Sequence, residues 1–273
     1  MLTVAFETVG SGRRLSVARV GAGPPVVLLH GYPENLQIWS ALAPRIAERR
    51  EVIAFDWPGM GRSDAWAGGA TPHHMAGRLR ELLDHWEIER ASLVGADMGG
   101  QPALAFAAQQ PQRVDRLVVM NSLVMPDAAT SWDIRLLRRF GWNQIVISRF
   151  PGLVLRRAER TFLPTGVRLT DELRRDFRDC FMRPEVRRFV VRMCAGYQGS
   201  LRRLPELYAR IRCPTLVLWA ERDRHFPLAH GEGLQRAIPG SRLEIIRGGE
   251  HWMAWHRADD VAGKIGTFLS CRS

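Results

Sequence analysis

One aspartate, Asp97, stands at the apex of a predicted sharp turn between a strand and a helix. The turn has the sequence Leu-Val-Gly-Ala-Asp-Met-Gly-Gly, with glycine two residues before and two residues after the aspartate. Small residues at those positions are typical of the nucleophile elbow, in which a strained backbone pushes one side chain out above a sheet. An aspartate after a strand can equally cap a helix. The motif therefore has two interpretations, a nucleophilic carboxylate or an N-cap.

A nucleophile at Asp97 needs a histidine base and an orienting acid, and in folds with this turn both follow it along the chain. Asp223 comes just after a predicted strand, at the edge where open α/β sheets build their sites, with Glu221 as a competing carboxylate nearby. His251 follows the next predicted strand and a glycine turn. These places predict a triad of Asp97, His251 and Asp223.

A negatively charged intermediate also needs N–H donors that are already in place. The candidates for this oxyanion hole are the backbone amides of Met98, directly after Asp97, and of Tyr32, in the loop His-Gly-Tyr-Pro that follows an earlier predicted strand. His30, in the same loop, is either a second base or a buried loop anchor. We expect it to be the anchor.

Short apolar runs rich in β-branched residues predict strands that are buried on both faces of a sheet. They lie at residues 26–29, 52–55, 92–94, 117–120, 215–219 and 243–246, and helical stretches lie at 75–86, 102–110, 233–238 and 258–269. This alternation predicts an α/β fold with a doubly wound, mostly parallel sheet. Residues 3–8 and 14–20, separated by Gly-Ser-Gly, predict an antiparallel hairpin at one edge.

From about residue 126 to 205 the strand pattern gives way to arginine-rich amphipathic stretches, broken at Pro151, Pro164 and Pro184. We expect a helical cap at 126–205, inserted into a core domain made of 1–125 and 206–273. The chain has a net charge of +11, and residues 131–212 hold 19 arginines against 8 acids. Such a surface either steers anionic substrates or contacts a membrane surface or acidic partner, or it simply coats solvated helices, which is the more common case.

The 273 residues, 46% hydrophobic and 25% charged, indicate an ordinary globular protein. There is no secretory leader pattern and no apolar run long enough for a bilayer, so we expect a cytoplasmic protein without membrane insertion. The four cysteines are far apart, the histidines lack metal-ligand spacing, and no phosphate-binding loop is present. We therefore expect no metal, no cofactor and no nucleic acid, and a small molecule as substrate.

Together the motifs identify a family. The loop at 30–33, the segment Asp-Trp-Pro-Gly-Met-Gly-Arg-Ser-Asp at 56–64, the turn at 95–100, Asp223 and His251 resemble the α/β-hydrolase fold, subgroup epoxide hydrolase and haloalkane dehalogenase. The resemblance runs from about residue 4 to 269, with the insertion in the family's cap position. It implies that Asp97 attacks carbon and that His251 activates the water that cleaves the ester. The spacing Asp-x-x-x-Pro also favours Asp223 over Glu221.

An aspartate nucleophile narrows the substrate class. A carboxylate that attacks an ester or amide gives a mixed anhydride, whereas on sp³ carbon it displaces a leaving group and forms an alkyl-enzyme ester. Hydrolysis of that ester passes through an ordinary tetrahedral oxyanion. The implied substrates carry strained or activated C–O or C–halogen bonds.

The leaving group divides the subgroup. Epoxide hydrolases supply a proton from cap tyrosines, and Tyr197 lies where such a tyrosine is expected, while a second donor would have to be Tyr208 or an unusual group. Many haloalkane dehalogenases have a tryptophan directly after the nucleophile, where this chain has Met98. They have a second tryptophan or an asparagine in the loop after the earlier strand, where this chain has Tyr32. The arginine that fluoroacetate dehalogenases place after the nucleophile is also absent, although a basic cap suits a haloacid.

Two cap tryptophans, Trp132 and Trp142, could wall an apolar pocket or donate to a halide, but they could also anchor amphipathic helices. We expect epoxide hydrolysis to a diol. The alternatives are a haloalkane or haloacid dehalogenase with a non-standard halide site, and a catalytically silent hydrolase fold that binds a ligand or partner.

Overall fold

A computed structural model describes residues 1–126, 129–137, 139 and 141–271, without the side chains at 133, 137, 197 and 198. Over these ranges eight strands form one sheet. The strands are β1 (Ala5–Val9), β2 (Arg13–Val20), β3 (Pro25–Leu29), β4 (Glu51–Phe55), β5 (Ala91–Ala96), β6 (Val114–Met120), β7 (Thr215–Ala220) and β8 (Arg242–Ile246).

The sheet has the order β1-β2-β4-β3-β5-β6-β7-β8. The hairpin β1–β2 pairs antiparallel, β2 pairs antiparallel with β4, and every pair from β4 to β8 is parallel. The carboxyl ends of β3, β5, β6, β7 and β8 therefore point to the same edge of the sheet. Because parallel pairing keeps these ends in register, the loops after five neighbouring strands meet there.

The described helices are α1 (Ala43–Ile46), α2 (Pro72–His85), α3 (Gly100–Gln109), α4 (Trp132–Leu137), α5 (Trp142–Arg149), α6 (Pro151–Phe162), α7 (Asp171–Phe181), α8 (Pro184–Arg203), α9 (Pro205–Tyr208), α10 (Leu228–Ala237), α11 (Met253–His256) and α12 (Ala258–Ser270). The apolar residues of α2, α3 and α10 pack on one face of the sheet, and those of α1, α11 and α12 pack on the other. Each face thus has its own hydrophobic core.

Helices α4 to α9 lie between β6 and β7. Proline stands in the first turn of α6, α8 and α9, where its missing N–H costs no hydrogen bond. The N-cap of α7 is Thr170, whose hydroxyl accepts a hydrogen bond from the amide of Leu173 at 3.2 Å. The prolines that break the sequence pattern are therefore helix starts or, at Pro164, a link between two helices.

The predicted fold class is confirmed, since the sheet is mostly parallel, covered on both faces and interrupted by a helical insertion. One detail differs, because β8 is an edge strand rather than a buried one, and Ile245 is 38% exposed. The division into domains at residues 126 and 205 remains a prediction. None of the helices in the described ranges is long and apolar enough to cross a membrane.

Candidate active site

Five neighbouring strands each supply one polar group to the same edge of the sheet. In sheet order, Tyr32 follows β3, Asp97 follows β5, Asn121 follows β6, Asp223 follows β7 and His251 follows β8. Each of these residues lies within five residues of the end of its strand. The sheet itself therefore sets the spacing of the site.

Asp97 sits in a strained turn. Its φ is +50°, in the left-handed region that non-glycine residues rarely occupy, and the Ser122 hydroxyl donates to its carbonyl oxygen at 2.5 Å. The turn also needs Gly99, because a Cβ atom there would lie 2.1 Å from the carbonyl oxygen of Leu29. The N-cap of α3 is Gly99 and not Asp97. This geometry matches a nucleophile elbow.

The three residues of the predicted triad are in contact. His251 Nδ1 donates to Asp223 Oδ2 at 2.7 Å, and its Nε2 lies 3.4 Å from Asp97 Oδ2. The other oxygen of Asp223 accepts from the amides of His225 and Phe226 at 2.8 and 3.0 Å. Asp223 thereby holds the imidazole with Nε2 directed at Asp97, which is the orientation that a base requires.

Electrostatics favour an imidazolium between two carboxylates. Burial lowers the pKa of His251, but the charges and hydrogen bonds of Asp223 and Asp97 outweigh it and raise the pKa to about 10. For Asp223 burial alone would raise the pKa. The charge of His251 and the hydrogen bonds that Asp223 accepts outweigh burial, so the pKa of Asp223 lies below the ordinary value. His251 is therefore charged while Asp97 is a carboxylate.

Glu221 lies outside this arrangement. Its carboxylate accepts from the amide of Gly248 at 2.8 Å and pairs with Arg247 at 3.6 Å. The structure therefore brings Asp223, rather than its neighbour, to His251.

Tyr32 and His30 have different surroundings although they share one loop. The Tyr32 amide donates to Asp97 Oδ1 at 2.9 Å, whereas Met98 lies in the short 3₁₀ turn directly after the aspartate. His30 is fully buried, its Nδ1 donates to the Gly31 carbonyl and its Nε2 accepts from the Trp57 amide. Burial lowers the pKa of His30 to about 4, so it is a neutral loop anchor.

Asn121 is a site residue that the sequence analysis missed. Its φ is +39°, its side-chain N–H donates to the carbonyl oxygen of His251 at 2.8 Å, and its side-chain oxygen accepts from the amide of Ala220 at 2.9 Å. It thus ties the loop that carries His251 to the ends of β6 and β7. The signal available in the sequence was a polar residue directly after a buried strand.

Glu34 was also missed. It is 3% exposed, and its two oxygens accept from the Gly31 amide at 3.2 Å and the Trp252 indole at 3.0 Å. Burial raises the pKa of Glu34 to about 7, with the charge of Asp97 acting in the same direction and that of His251 against it. A second buried carboxyl group therefore lies beside Asp97.

An apolar cavity of about 880 Å³ opens above Asp97, between the sheet edge and helices α4, α5 and α6. Trp132 lines it, whereas Trp142, 57% exposed, does not, so neither tryptophan anchors the cap by burial. The four arginines in its lining are 156, 157, 160 and 168, and Asp97 is the one acidic residue among the described lining residues.

Two tyrosines are candidates for the proton donor. Tyr208 is fully buried and its hydroxyl donates to the Val124 carbonyl at 2.5 Å, so it does not serve the cavity. Tyr197 lies on α8, but its side chain falls outside the described part of the structure. Its assignment as donor remains a prediction.

Over the described ranges no group of three His, Cys, Asp or Glu side chains is arranged to hold a metal ion, and the four cysteines are unpaired.

Comparison with known proteins places this geometry in a family. A family model described as the α/β-hydrolase fold matches residues 24–258. A 2-hydroxy-6-oxononadienedioate/2-hydroxy-6-oxononatrienedioate hydrolase of Cupriavidus pinatubonensis is 32% identical, covering 98% of this chain and 95% of its own.

Two solved structures have a similar fold. The epoxide hydrolase CorEH aligns with a TM-score of 0.83 at 22% identity, covering 99% of each chain. The ancestral haloalkane dehalogenase AncHLD2 aligns with a TM-score of 0.84 at 21% identity, covering 97% of this chain and 98% of its own. At such identities the likeness concerns the fold alone. From the family match, the chain belongs to the α/β-hydrolase fold family.

Proposed function

We propose that the protein is a cofactor-independent hydrolase that opens epoxides to diols through an ester of Asp97. The observation that carries the proposal is the carboxylate at the elbow, with one oxygen on the Tyr32 amide and the other 3.4 Å from His251. A carboxylate in an apolar cavity is poorly solvated and well placed to attack sp³ carbon.

The first step forms the ester. Asp97 Oδ2 attacks one epoxide carbon, the C–O bond of the ring breaks, and the ring oxygen takes a proton from a donor. The family resemblance implies that this donor is Tyr197.

The second step consumes water. Once Asp97 is an ester its negative charge is gone, so the pKa of His251 falls, the imidazolium gives up its Nε2 proton, and the neutral imidazole can act as a base. It takes a proton from water, which attacks the ester carbon, and the amides of Tyr32 and Met98 stabilise the oxyanion. Collapse of the tetrahedral intermediate releases the diol and restores the Asp97 carboxylate, while Asp223 keeps the imidazole in place.

The fold is compatible with this activity, since CorEH, a protein of similar structure, is an epoxide hydrolase. A second candidate is dehalogenation. It is favoured by Trp132, an indole N–H donor in the wall of the cavity, and by the likeness in fold to AncHLD2. A halide leaving group requires only N–H donors.

The test is a panel of aryl and alkyl epoxides and haloalkanes, scored for diol and for halide release. In parallel, His251→Gln should accumulate an Asp97 adduct that mass spectrometry locates, because the ester forms but its hydrolysis lacks a base. Glu221→Gln is a matched control, since this nearby carboxylate contacts Gly248 and Arg247 instead of the triad. It should retain wild-type turnover.

Diol release with an Asp97 adduct supports the proposal, and halide release without diol would favour the dehalogenase. If neither product and no adduct forms with any substrate tried, the result favours a catalytically silent hydrolase fold that binds a ligand or partner.

A further inference from the structure

The hydroxyl of Tyr32 is buried and has no hydrogen-bond partner among the residues that the structure describes. A buried phenol without a partner carries the cost of lost hydration, and native proteins rarely leave such a group unsatisfied. Here it belongs to the residue whose amide already holds Asp97 Oδ1 at 2.9 Å. An unsatisfied donor beside a nucleophile needs an explanation.

The surroundings of the ring are apolar. Tyr32 is 8% exposed, its ring is tilted against Phe181 with centroids 5.7 Å apart, and it shares the wall of the cavity with Asp97. Burial raises the pKa of Tyr32 well above its ordinary value, and the nearby Cys194, Asp97 and Glu34 act in the same direction. The phenol therefore keeps its proton and remains a donor at every pH at which the enzyme would work.

Three neighbouring side chains do not fill this role. The Tyr208 hydroxyl donates to Val124, the thioether of Met98 has no proton to give, and the Nε2 proton of His251 faces Asp97 Oδ2. Tyr32 and Asp97 line the same cavity, the one in which an epoxide attacked by Asp97 would bind.

We propose that the Tyr32 hydroxyl is the acid that protonates the epoxide oxygen as Asp97 opens the ring. This inference rests on the proposed epoxide hydrolysis. It gives Tyr32 the role of proton donor, which the sequence predicts for a cap tyrosine. Tyr32 would act from the core domain, in the loop after β3, so that one residue serves both steps, its hydroxyl in ring opening and its amide in ester hydrolysis.

The protons balance. In ring opening the Asp97–carbon bond forms, the ring C–O bond breaks and the phenol proton moves to the leaving oxygen, which gives a hydroxyl group and a tyrosinate. The transfer is downhill because the alkoxide that forms as the ring opens is a stronger base than a tyrosinate. Hydrolysis of the ester by one water regenerates the carboxylate and releases one proton, which restores the phenol.

The test isolates ring opening. In the His251→Gln background hydrolysis is blocked, so the rate at which an aryl epoxide alkylates Asp97 can be followed by quenched-flow mass spectrometry. We expect Tyr32→Phe to slow alkylation by at least about 100-fold, the usual range for general acid catalysis. The loss should shrink for a trifluoromethyl epoxide, whose alkoxide is less basic and needs the proton less, and a merely structural role would not produce that dependence.

Tyr208→Phe is the matched control, because it removes the same hydroxyl from a buried tyrosine outside the cavity. It should alkylate at the parent rate while its Tm falls, since Val124 loses its donor. Tyr32→Phe should instead have a Tm at or above that of the parent, because the Tyr32 hydroxyl makes no hydrogen bond to any described residue.

The outcomes separate the two proposals. Alkylation of the Tyr32→Phe protein within about threefold of the parent, or a Tm clearly below the parent's, overturns the role of Tyr32 and leaves epoxide hydrolysis standing. A parent that forms neither adduct nor diol with any epoxide overturns the proposed function, and the role of Tyr32 with it.

Discussion

Replacing Asp97 by asparagine should lower the pKa of His251 by about 2 to 3 units. The change removes one negative charge but keeps a side chain of nearly the same shape. In the wild type the imidazole lies between two carboxylates, with Nε2 3.4 Å from Asp97 Oδ2, and its pKa is raised to about 10. The variant resembles the proposed ester intermediate, in which the same charge is gone.

The magnitude follows from Coulomb's law. Two unit charges 3.4 Å apart interact by about 5 kcal/mol at an effective dielectric constant of about 20. At about 1.4 kcal/mol per pKa unit this is roughly 3.6 units, an upper value because the site relaxes and water enters. Asp223 remains and still raises the pKa of His251, so we expect the variant to titrate at about 7 to 8.

The assay is an NMR titration of the ¹⁵N-labelled histidine side chains, which reports the charge and tautomer of each ring. The mass of the variant must be checked, since deamidation would restore the carboxylate. Glu221→Gln serves as the control, because its carboxylate is engaged by Gly248 and Arg247 and should leave His251 unchanged. A pKa of His251 in Asp97→Asn within about half a unit of the wild type would refute the charge-removal mechanism for switching on the base.

Three further predictions concern the turn, the buried carboxyl group and the rim. Gly99→Ala should prevent folding or cost more than about 3 kcal/mol in urea unfolding, because its Cβ would lie 2.1 Å from the Leu29 carbonyl oxygen; a stable variant would contradict the elbow geometry. Glu34 has a folded pKa raised to about 7, so its contribution to stability falls as the pH rises from about 4.5 to 7; Glu34→Gln should gain relative stability over that interval, by up to about 3 kcal/mol, and equal pH profiles would count against it. Arg160 and Arg168 line the cavity, so replacing both by glutamine should reduce kcat/KM for an anionic epoxide and leave kcat/KM for a neutral epoxide unchanged. The double variant should also lose less of its kcat/KM for the anionic epoxide than the wild type does when salt is raised above about 0.1 M. Equal losses with both epoxides would point to a packing role.

The sequence predicts the site best where position along a strand decides position in space. Asp97, Asp223 and His251 each follow a strand of a parallel sheet, and the carboxyl ends of such strands meet at one edge, so their contact follows from order alone. The same reasoning did not find Asn121, because its role depends on the register of β6 against β7 and on the loop after β8.

Other features depend on packing that a linear pattern does not contain. Trp132 and Trp142 begin neighbouring cap helices of similar composition, yet only Trp132 lines the cavity. An amphipathic pattern identifies the apolar face of a helix but not the surface that this face meets. For the same reason the run at 243–246 predicts a strand but not that the strand lies at the edge of the sheet.

The two oxygens of Asp97 are held apart by their neighbours, Oδ1 by the Tyr32 amide and Oδ2 by His251. In an enzyme that works as proposed, Oδ2 leaves with every diol and is replaced by an oxygen atom from water. Oδ1 stays with the protein for as long as the carboxylate does not rotate. Such an enzyme would carry one permanent oxygen and one that is renewed at each turnover, so each diol would contain an oxygen atom from the water consumed in the previous cycle.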